Sequence, residues 1–361
     1  MRIEGGHAYR LVAPGKRLEA WELPALEPGL TEVVIEVAGC GVCHTDVGYA
    51  ADGVPTRKPL PLVLGHEICG RVVATGDGVR QWLGQLVVVP AVIPCGDCIA
   101  CKRGHPTICR NQFMPGNDGD GGFATHVRVP ARGLCPVPEP LPAGISPEML
   151  SVIADAVTTP WEAIRRSGLS KDDVAVFVGV GGVGGFGVQI AASLGAAVAA
   201  IDIDEDKLQL AAHHGAGLAL NSANQHEKDL KTAVRNFVKQ SGRTGLGLKI
   251  FETSGTTAGQ QTAFALLDFG AYLAVVGYTP KKLELRLSNL MAYDATARGN
   301  WGCPPDQYPY ALDAVLKLQV AVAPYVEEHS LDEAPEVFDA VVRHAIGRRV
   351  VFKPARNGNK A

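Results

Sequence analysis

The 361-residue sequence has no run of about 18 apolar residues free of charge, glycine and proline, so it offers no ordinary membrane-spanning helix. The alanine-rich stretch 188–201 is too short and is broken by Gly195. The opening residues, MRIEGGHAYRLVAPGKRLEAW, hold no apolar segment of the secretory kind, which predicts a cytoplasmic chain with reduced thiols. Neither sign of charge is in real excess. There are 34 Lys and Arg against 37 Asp and Glu, a net of −3, too even for a broad nucleic-acid surface. The sequence lacks a GxxxxGK[ST] loop, an HExxH helix and an opening FAD-type glycine motif, so those phosphate, hydrolase and flavin chemistries have no anchor. It also lacks any repeat of about 20–50 residues and any low-complexity tract.

What is present is globular. Hydrophobic residues make up 47% and charged residues 20%, enough apolar side chain for a packed core. At about 150 residues per domain the chain holds two domains, one able to interrupt the other. The first part carries β-branched runs cut by Gly and Pro, such as EVVIEVAGCG and QLVVVPAVI, the texture of a β-rich domain. From about Lys171, strands such as VAVFVGV alternate with helical stretches such as GFGVQIAASLGA, which indicates βαβ units on a parallel sheet. The pattern breaks again at Pro304 and Pro305, with a helix expected in DQYPYALDAVLKLQ, a final strand in RRVVFKP and a loose tail in ARNGNKA.

Nine cysteines in a chain without a secretory segment are better read as thiols and metal ligands than as disulfides. Cys95, Cys98, Cys101 and Cys109 form a C-x2-C-x2-C-x7-C array. Four thiolates so spaced can close a tetrahedron around Zn2+, and a closed shell is structural. An iron–sulfur cluster is the rival, but its fourth cysteine follows sooner and precedes a proline, whereas Arg110 follows Cys109 here. Cys40, Cys69, Cys135 and Cys303 read as ordinary buried thiols.

Two other motifs, GCGVCHTD (39–46) and GHE (65–67), offer Cys43 and His66, and ADAVTTP offers Asp155. Three protein ligands and one open position make a catalytic zinc site. Taken singly, these residues fit a buried thiol, a hydrogen-bonding imidazole and a capping acid equally well.

VAVFVGVGGVGGFG reads as strand, turn and helix, with Gly179, Gly181, Gly182 and Gly184 in a G-x-G-G-x-G arrangement. Such glycines make the tight turn, admit a pyrophosphate to the backbone and let helix and strand pack closely. The next strand, AVAAI, ends at Asp202, where an acid receives the ribose hydroxyls of NAD and repels the 2′-phosphate of NADP.

Together, GCGVCHTD, GHE, the four-cysteine lobe, GGFATHV, ADAVTTP, GVGGVG and the segment 202–207 resemble, in this order, the zinc-dependent medium-chain alcohol dehydrogenases. The resemblance implies an α/β protein with a GroES-like catalytic domain over 1–158 and 302–361 and a Rossmann domain over 159–301. It implies NAD and two Zn2+ per chain, reversible oxidation of a secondary alcohol, and a homo-oligomer, dimer or tetramer. Cys43, His66 and Asp155 then match the catalytic zinc ligands, Glu67 an outer or alternate ligand, and Asp46 the acid that orients His66. Thr45 matches the hydroxyl that passes on the substrate proton. His44 matches a residue at the pyrophosphate, Lys207 the base beside Asp202, and Thr159 and Val276 residues packing the nicotinamide. One position departs: Gly48 stands where the liver-type branch has a histidine, leaving a water chain or His44 as terminal proton acceptor.

A narrower likeness is carried by FMPGNDGDGGFATHVRVPARGLCPV. It resembles the 6-hydroxycyclohex-1-ene-1-carbonyl-CoA dehydrogenases of anaerobic aromatic degradation. That implies a cyclic hydroxyacyl-CoA substrate. Free aliphatic or aromatic alcohols are the alternative, an enone reductase of the same superfamily is a further one, and a non-catalytic dinucleotide sensor is a third. A CoA ester needs cations, for which Arg57, Lys58, Lys281, Lys282 and Arg298 are candidates; solvated surface charge is their other reading.

Overall fold

A computed structural model describes residues 2–355; the ARNGNKA stretch lies outside the described residues from Arg356 onward. The described chain divides into two units: 2–158 with 302–316 and 322–355, and 159–301 with 317–321. The segment 317–321, placed with the catalytic domain by its sequence position, joins the second unit instead. Gln189 clasps it there, its Oε1 accepting from Ala321 N at 2.7 Å and its Nε2 donating to Ala321 O at 3.2 Å.

In the first unit the β-branched run Glu32–Gly41 is the central strand. It pairs antiparallel with Glu67–Thr75, with His126–Pro130 and, at its end, with Arg349–Lys353. The last pairing sets Val351 opposite Gly41 and Phe352 opposite Cys40. The C-terminal strand therefore lies beside the segment that leads into Cys43. A smaller sheet joins His7–Leu11 to Glu19–Glu22 and Leu62–Val63. Leu11, Ile35, Leu62, Leu64, Ile68, Phe123 and Phe352 are fully buried in the core between these strands. Each such side chain contributes roughly 1.5–3 kcal/mol by leaving water.

The second unit holds a parallel sheet of Val174–Val178 (β1), Ala197–Asp202 (β2), Leu218–Asn221 (β3), Lys249–Glu252 (β4), Tyr272–Val275 (β5) and Thr296–Gly299 (β6). The spatial order is 3-2-1-4-5-6, that of a dinucleotide-binding sheet. β1 is buried throughout, as a strand covered on both faces must be. The order reverses between β1 and β4, and ligands bind such sheets at the carboxyl end of that switch. No helix among the described residues is long and apolar enough to cross a membrane.

Candidate functional site

The four-cysteine lobe is local. Ligand atoms of Cys95, Cys98, Cys101 and Cys109 lie within 4.8 Å of one another. Cys98 Sγ is 3.5 Å from Cys101 Sγ and 3.7 Å from Cys109 Sγ. Sulfurs at 2.3 Å around one zinc stand about 3.8 Å apart, so the spacing fits that ion. Cys98 N–H donates to Cys95 Sγ and Cys95 N–H to Cys109 Sγ, both at 3.3 Å. Backbone N–H groups of Cys98 and Asp97 bring the Cys95 thiol down to about 6. Burial, and then the neighbouring sulfurs, push Cys101 up to about 12. Four thiolates cannot share this space without a cation, which is the condition a divalent metal satisfies. His105 is exposed and is not a member of the group.

The second group is assembled from afar. Cys43 precedes the helix His44–Ala50, His66 immediately precedes the strand starting at Glu67, and Asp155 follows the short helical turn Met149–Ala154. The ligand atoms of Cys43, His66, Glu67 and Asp155 lie within 4.8 Å of one another. Asp155 Oδ2 is 3.4 Å from Cys43 Sγ and 3.6 Å from His66 Nε2. These are edges of a small tetrahedron of sulfur, nitrogen and oxygen, a donor set suited to zinc. Burial alone would lower the His66 pKa, but Asp46 and Asp155 outweigh it and hold it well above the usual value. The pocket thus demands positive charge at the point where an ion would sit.

Asp46 organises this group. Its Oδ2 accepts from Cys43 N at 2.9 Å and its Oδ1 from Gly65 N at 3.1 Å, and Oδ1 lies 3.5 Å from His66 Nδ1. Gly65 has φ +97°, and a Cβ there would fall 2.6 Å from the Phe123 ring, so only glycine fits this turn. Thr45 Oγ1 lies 3.6 Å from Cys43 Sγ, placing a hydroxyl beside the group. His44 is exposed and stacks on His344 with centroids 5.7 Å apart.

Glu67 is fully buried and faces the Arg349 guanidinium through two hydrogen bonds, Nε to Oε2 at 2.7 Å and Nη2 to Oε1. It also accepts from Ala156 N at 3.1 Å. Burial pushes Glu67 up, and Arg349 pulls against it. Arg349 Nη2 reaches to 4.0 Å from Asp155 Oδ2. Sequence reasoning missed Arg349, because nothing in RRVVFKP says which residue 282 positions earlier it meets.

A second omission is Asp120. Its Oδ1 accepts from Val63 N at 3.2 Å and its Oδ2 binds Lys58 Nζ at 2.5 Å. Gly121, Gly122 and Phe123 then donate to the carbonyls of Val63, Gly65 and Leu64. The GDGGF run is therefore a ladder along the segment that delivers His66. This arrangement also gives two candidate CoA cations other partners. Lys58 is tied to Asp120, and Arg57 binds Asp118 Oδ1 at 3.1 Å, so paired acids neutralise both charges. Lys281, Lys282 and Arg298 are exposed residues of the other unit.

In that unit Gly179 and Gly184 of the turn meet close neighbours. Gly179 has φ +87°, and a Cβ there would lie 2.5 Å from Ser254 Cα; one on Gly184 would lie 1.9 Å from Gly179 O. Around Gly181 a Cβ would meet nothing within 4 Å, an open face suited to a ligand. Gly182 completes the turn before the helix Gly184–Ser193. Asp202 ends β2 with Oδ2 accepting from Val180 N at 2.7 Å and Oδ1 from Ile203 N at 2.8 Å. Lys207 lies 3.4 Å from Asp204 Oδ2; that ion pair is with Asp204, not Asp202. Thr159 is buried, its carbonyl accepting from Asn300 Nδ2 at 3.2 Å, and Val276 N–H donates to Glu252 O at 2.9 Å.

Comparison with known proteins agrees with both units. Residues 29–139 match the alcohol dehydrogenase GroES-like domain, and residues 182–317 match the zinc-binding dehydrogenase family. An alcohol dehydrogenase of Geobacillus stearothermophilus is 31% identical, over 92% of this chain and 94% of its own. The crystal structure of the alcohol dehydrogenase of the archaeon Aeropyrum pernix superposes with TM-score 0.85 at 27% identity, covering 96% of this chain and all of that one. Acetophenone reductase of Geotrichum candidum in complex with NAD gives TM-score 0.83 at 25% identity, covering 97% and 98%.

Proposed function

This chain belongs to the zinc-dependent medium-chain alcohol dehydrogenase family, and from that premise we propose that it oxidises a secondary alcohol to a ketone, passing the hydride to NAD+. The observation that carries this reading is the Cys43, His66 and Asp155 group, three donors of the right chemistry around one point with a hydroxyl beside it. Zinc held there supplies Lewis acidity to the alcohol or ketone oxygen. Asp46 and Glu67 keep the donors in place, and outer partners of this kind set ligand orientation and tautomer. Thr45 takes the alcohol proton away from the group. Gly179, Gly181, Gly182 and Gly184 receive the pyrophosphate. Asp202 receives the adenosine ribose with Lys207 nearby, and Thr159 and Val276 flank the nicotinamide. The four cysteines of the lobe hold the second zinc.

The substrate we propose is a cyclic hydroxyacyl-CoA of the 6-hydroxycyclohex-1-ene-1-carbonyl type, supported by the 113–137 segment; free alcohols are the second reading, favoured by the ion-paired state of Arg57 and Lys58. A screen for NADH formation over free secondary alcohols and hydroxyacyl-CoA thioesters separates them. A response confined to free alcohols ends the thioester reading, and no response to either ends the dehydrogenase reading. Asp202→Ala should raise KM for NAD and admit NADP, and an unchanged coenzyme preference would remove Asp202 from the ribose.

A further inference from the structure

Glu252 ends β4, at the carboxyl edge of the parallel sheet, and is 1% exposed. Its Oε1 accepts from Ser254 N at 2.9 Å, Ser254 Oγ at 2.7 Å and Gly255 N at 3.0 Å. Its Oε2 is buried and makes no hydrogen bond among the described residues. Its main-chain oxygen accepts from Val276 N at 2.9 Å and Gly277 N at 3.0 Å. One residue therefore ties the turn after β4 to the turn after β5.

The turn after β4 in its own right supports the glycine turn. Thr253 Oγ1 donates to Gly179 O at 2.5 Å, and Ser254 Cα fills the place of a Gly179 side chain. The two tied turns also meet closely, since a Cβ on Gly277 would lie 2.2 Å from Gly255 N and 3.0 Å from Glu252 Oε2. Burying a carboxyl with one oxygen unused is costly. Burial raises its pKa above the usual carboxylate range, against the pull of its Ser254 and Gly255 donors. An apolar residue at this strand end would avoid that cost but could not gather three donors onto one oxygen.

We propose that Glu252 is a positioning residue for the dinucleotide, acting through the turns 253–255 and 276–277 to hold the turn 179–184 in its receiving shape. The inference rests on the coenzyme site described under the proposed function. A carboxyl-sized acceptor is what the position needs, so a glutamine with its oxygen in the place of Oε1 keeps the three bonds.

The test is titration of NADH by fluorescence into the zinc-loaded wild-type, Glu252→Ala, Glu252→Gln and Ser254→Ala proteins, with circular dichroism as the check on folding. Glu252→Ala should weaken NADH binding about tenfold, through lost preorganisation. Ser254→Ala, which removes one of the three donors, should weaken it about threefold by the same loss. Glu252→Gln should restore affinity to within about threefold of wild type. In steady-state assays the loss should fall on KM for NAD, with KM for the alcohol and the zinc content held. Equal NADH affinity in folded Glu252→Ala overturns the inference, as does a glutamine variant no better than alanine. If alanine fails to fold, the glutamine and Ser254→Ala titrations decide the question alone. Wild-type protein that binds no NADH would instead overturn the proposed coenzyme site itself.

Discussion

The four-cysteine lobe and the Cys43, His66, Asp155 group both surround the space of one cation, by opposite routes. The lobe draws every donor from residues 95–109, three of them partly exposed and Cys109 buried, and orients them with its own backbone N–H groups. The second group draws donors and supports from positions between 43 and 349, nearly all buried. The lobe buries no large apolar side chain of its own, since Ile99 and Ile108 are exposed; a metal there substitutes for a core. The second group sits under a full core, and its polar side chains are held by one another: Asp46 by Cys43 and Gly65, Glu67 by Arg349 and Ala156. A local site can be strong without being shaped for a reaction. A site gathered from distant segments can present an open position and a hydroxyl such as Thr45.

The sharpest way to separate the two is Cys43→Ser. It should cut alcohol oxidation by about 10³-fold or more, the loss of several kcal/mol of Lewis-acid stabilisation, while metal analysis finds one zinc retained. Activity close to wild type would end the assignment of this group.

Next in size is Arg349→Met, which leaves Glu67 buried without its partner. Breaking a buried pair costs about 3–5 kcal/mol, so the denaturant midpoint should fall far more than for any exposed pair, such as that of Arg80 and Asp77. Cys98→Ser should lower Tm and remove the lobe zinc at a cost of roughly 2–3 kcal/mol, typical of losing one structural anchor; its kcat should fall much less than that of Cys43→Ser. If the lobe variant loses activity in parallel, the contrast between the two groups fails. The smallest effect expected is that of Asp120→Asn, which loosens the ladder behind His66. Removing a support of this kind weakens metal binding about tenfold, measurable by chelator competition at the Cys43 group with the lobe zinc as internal reference.

The fold was legible where local chemistry repeats with a period. The strand–turn–helix at Gly179 showed in its glycines because positive φ and close approach admit no other residue. The parallel sheet showed in the apolar run of β1, VAVFV, followed by a helical stretch and a second strand. The four-cysteine lobe showed because its ligands are near neighbours in sequence. Of the second group, Cys43, His66 and Asp155 could be proposed only through the motif order of a family, since each residue alone fits a bland role. Arg349, Asp120 and Glu252 carried no local signal. The partners of Arg57 and Lys58 could not be read from the sequence, because the acids they meet lie about 60 residues along the chain.

Sequence by itself determined the elements whose physics is local: a metal-binding spacing, a glycine turn between strand and helix, an acid closing the next strand, and one strand buried on two faces. Tertiary structure alone decided which charges are spent on each other and which remain for a ligand. The reason is that a buried charge is set by whatever packs against it. The neighbours of Glu67, His66 and Lys58 arrive from strands and loops that meet only when the sheet forms.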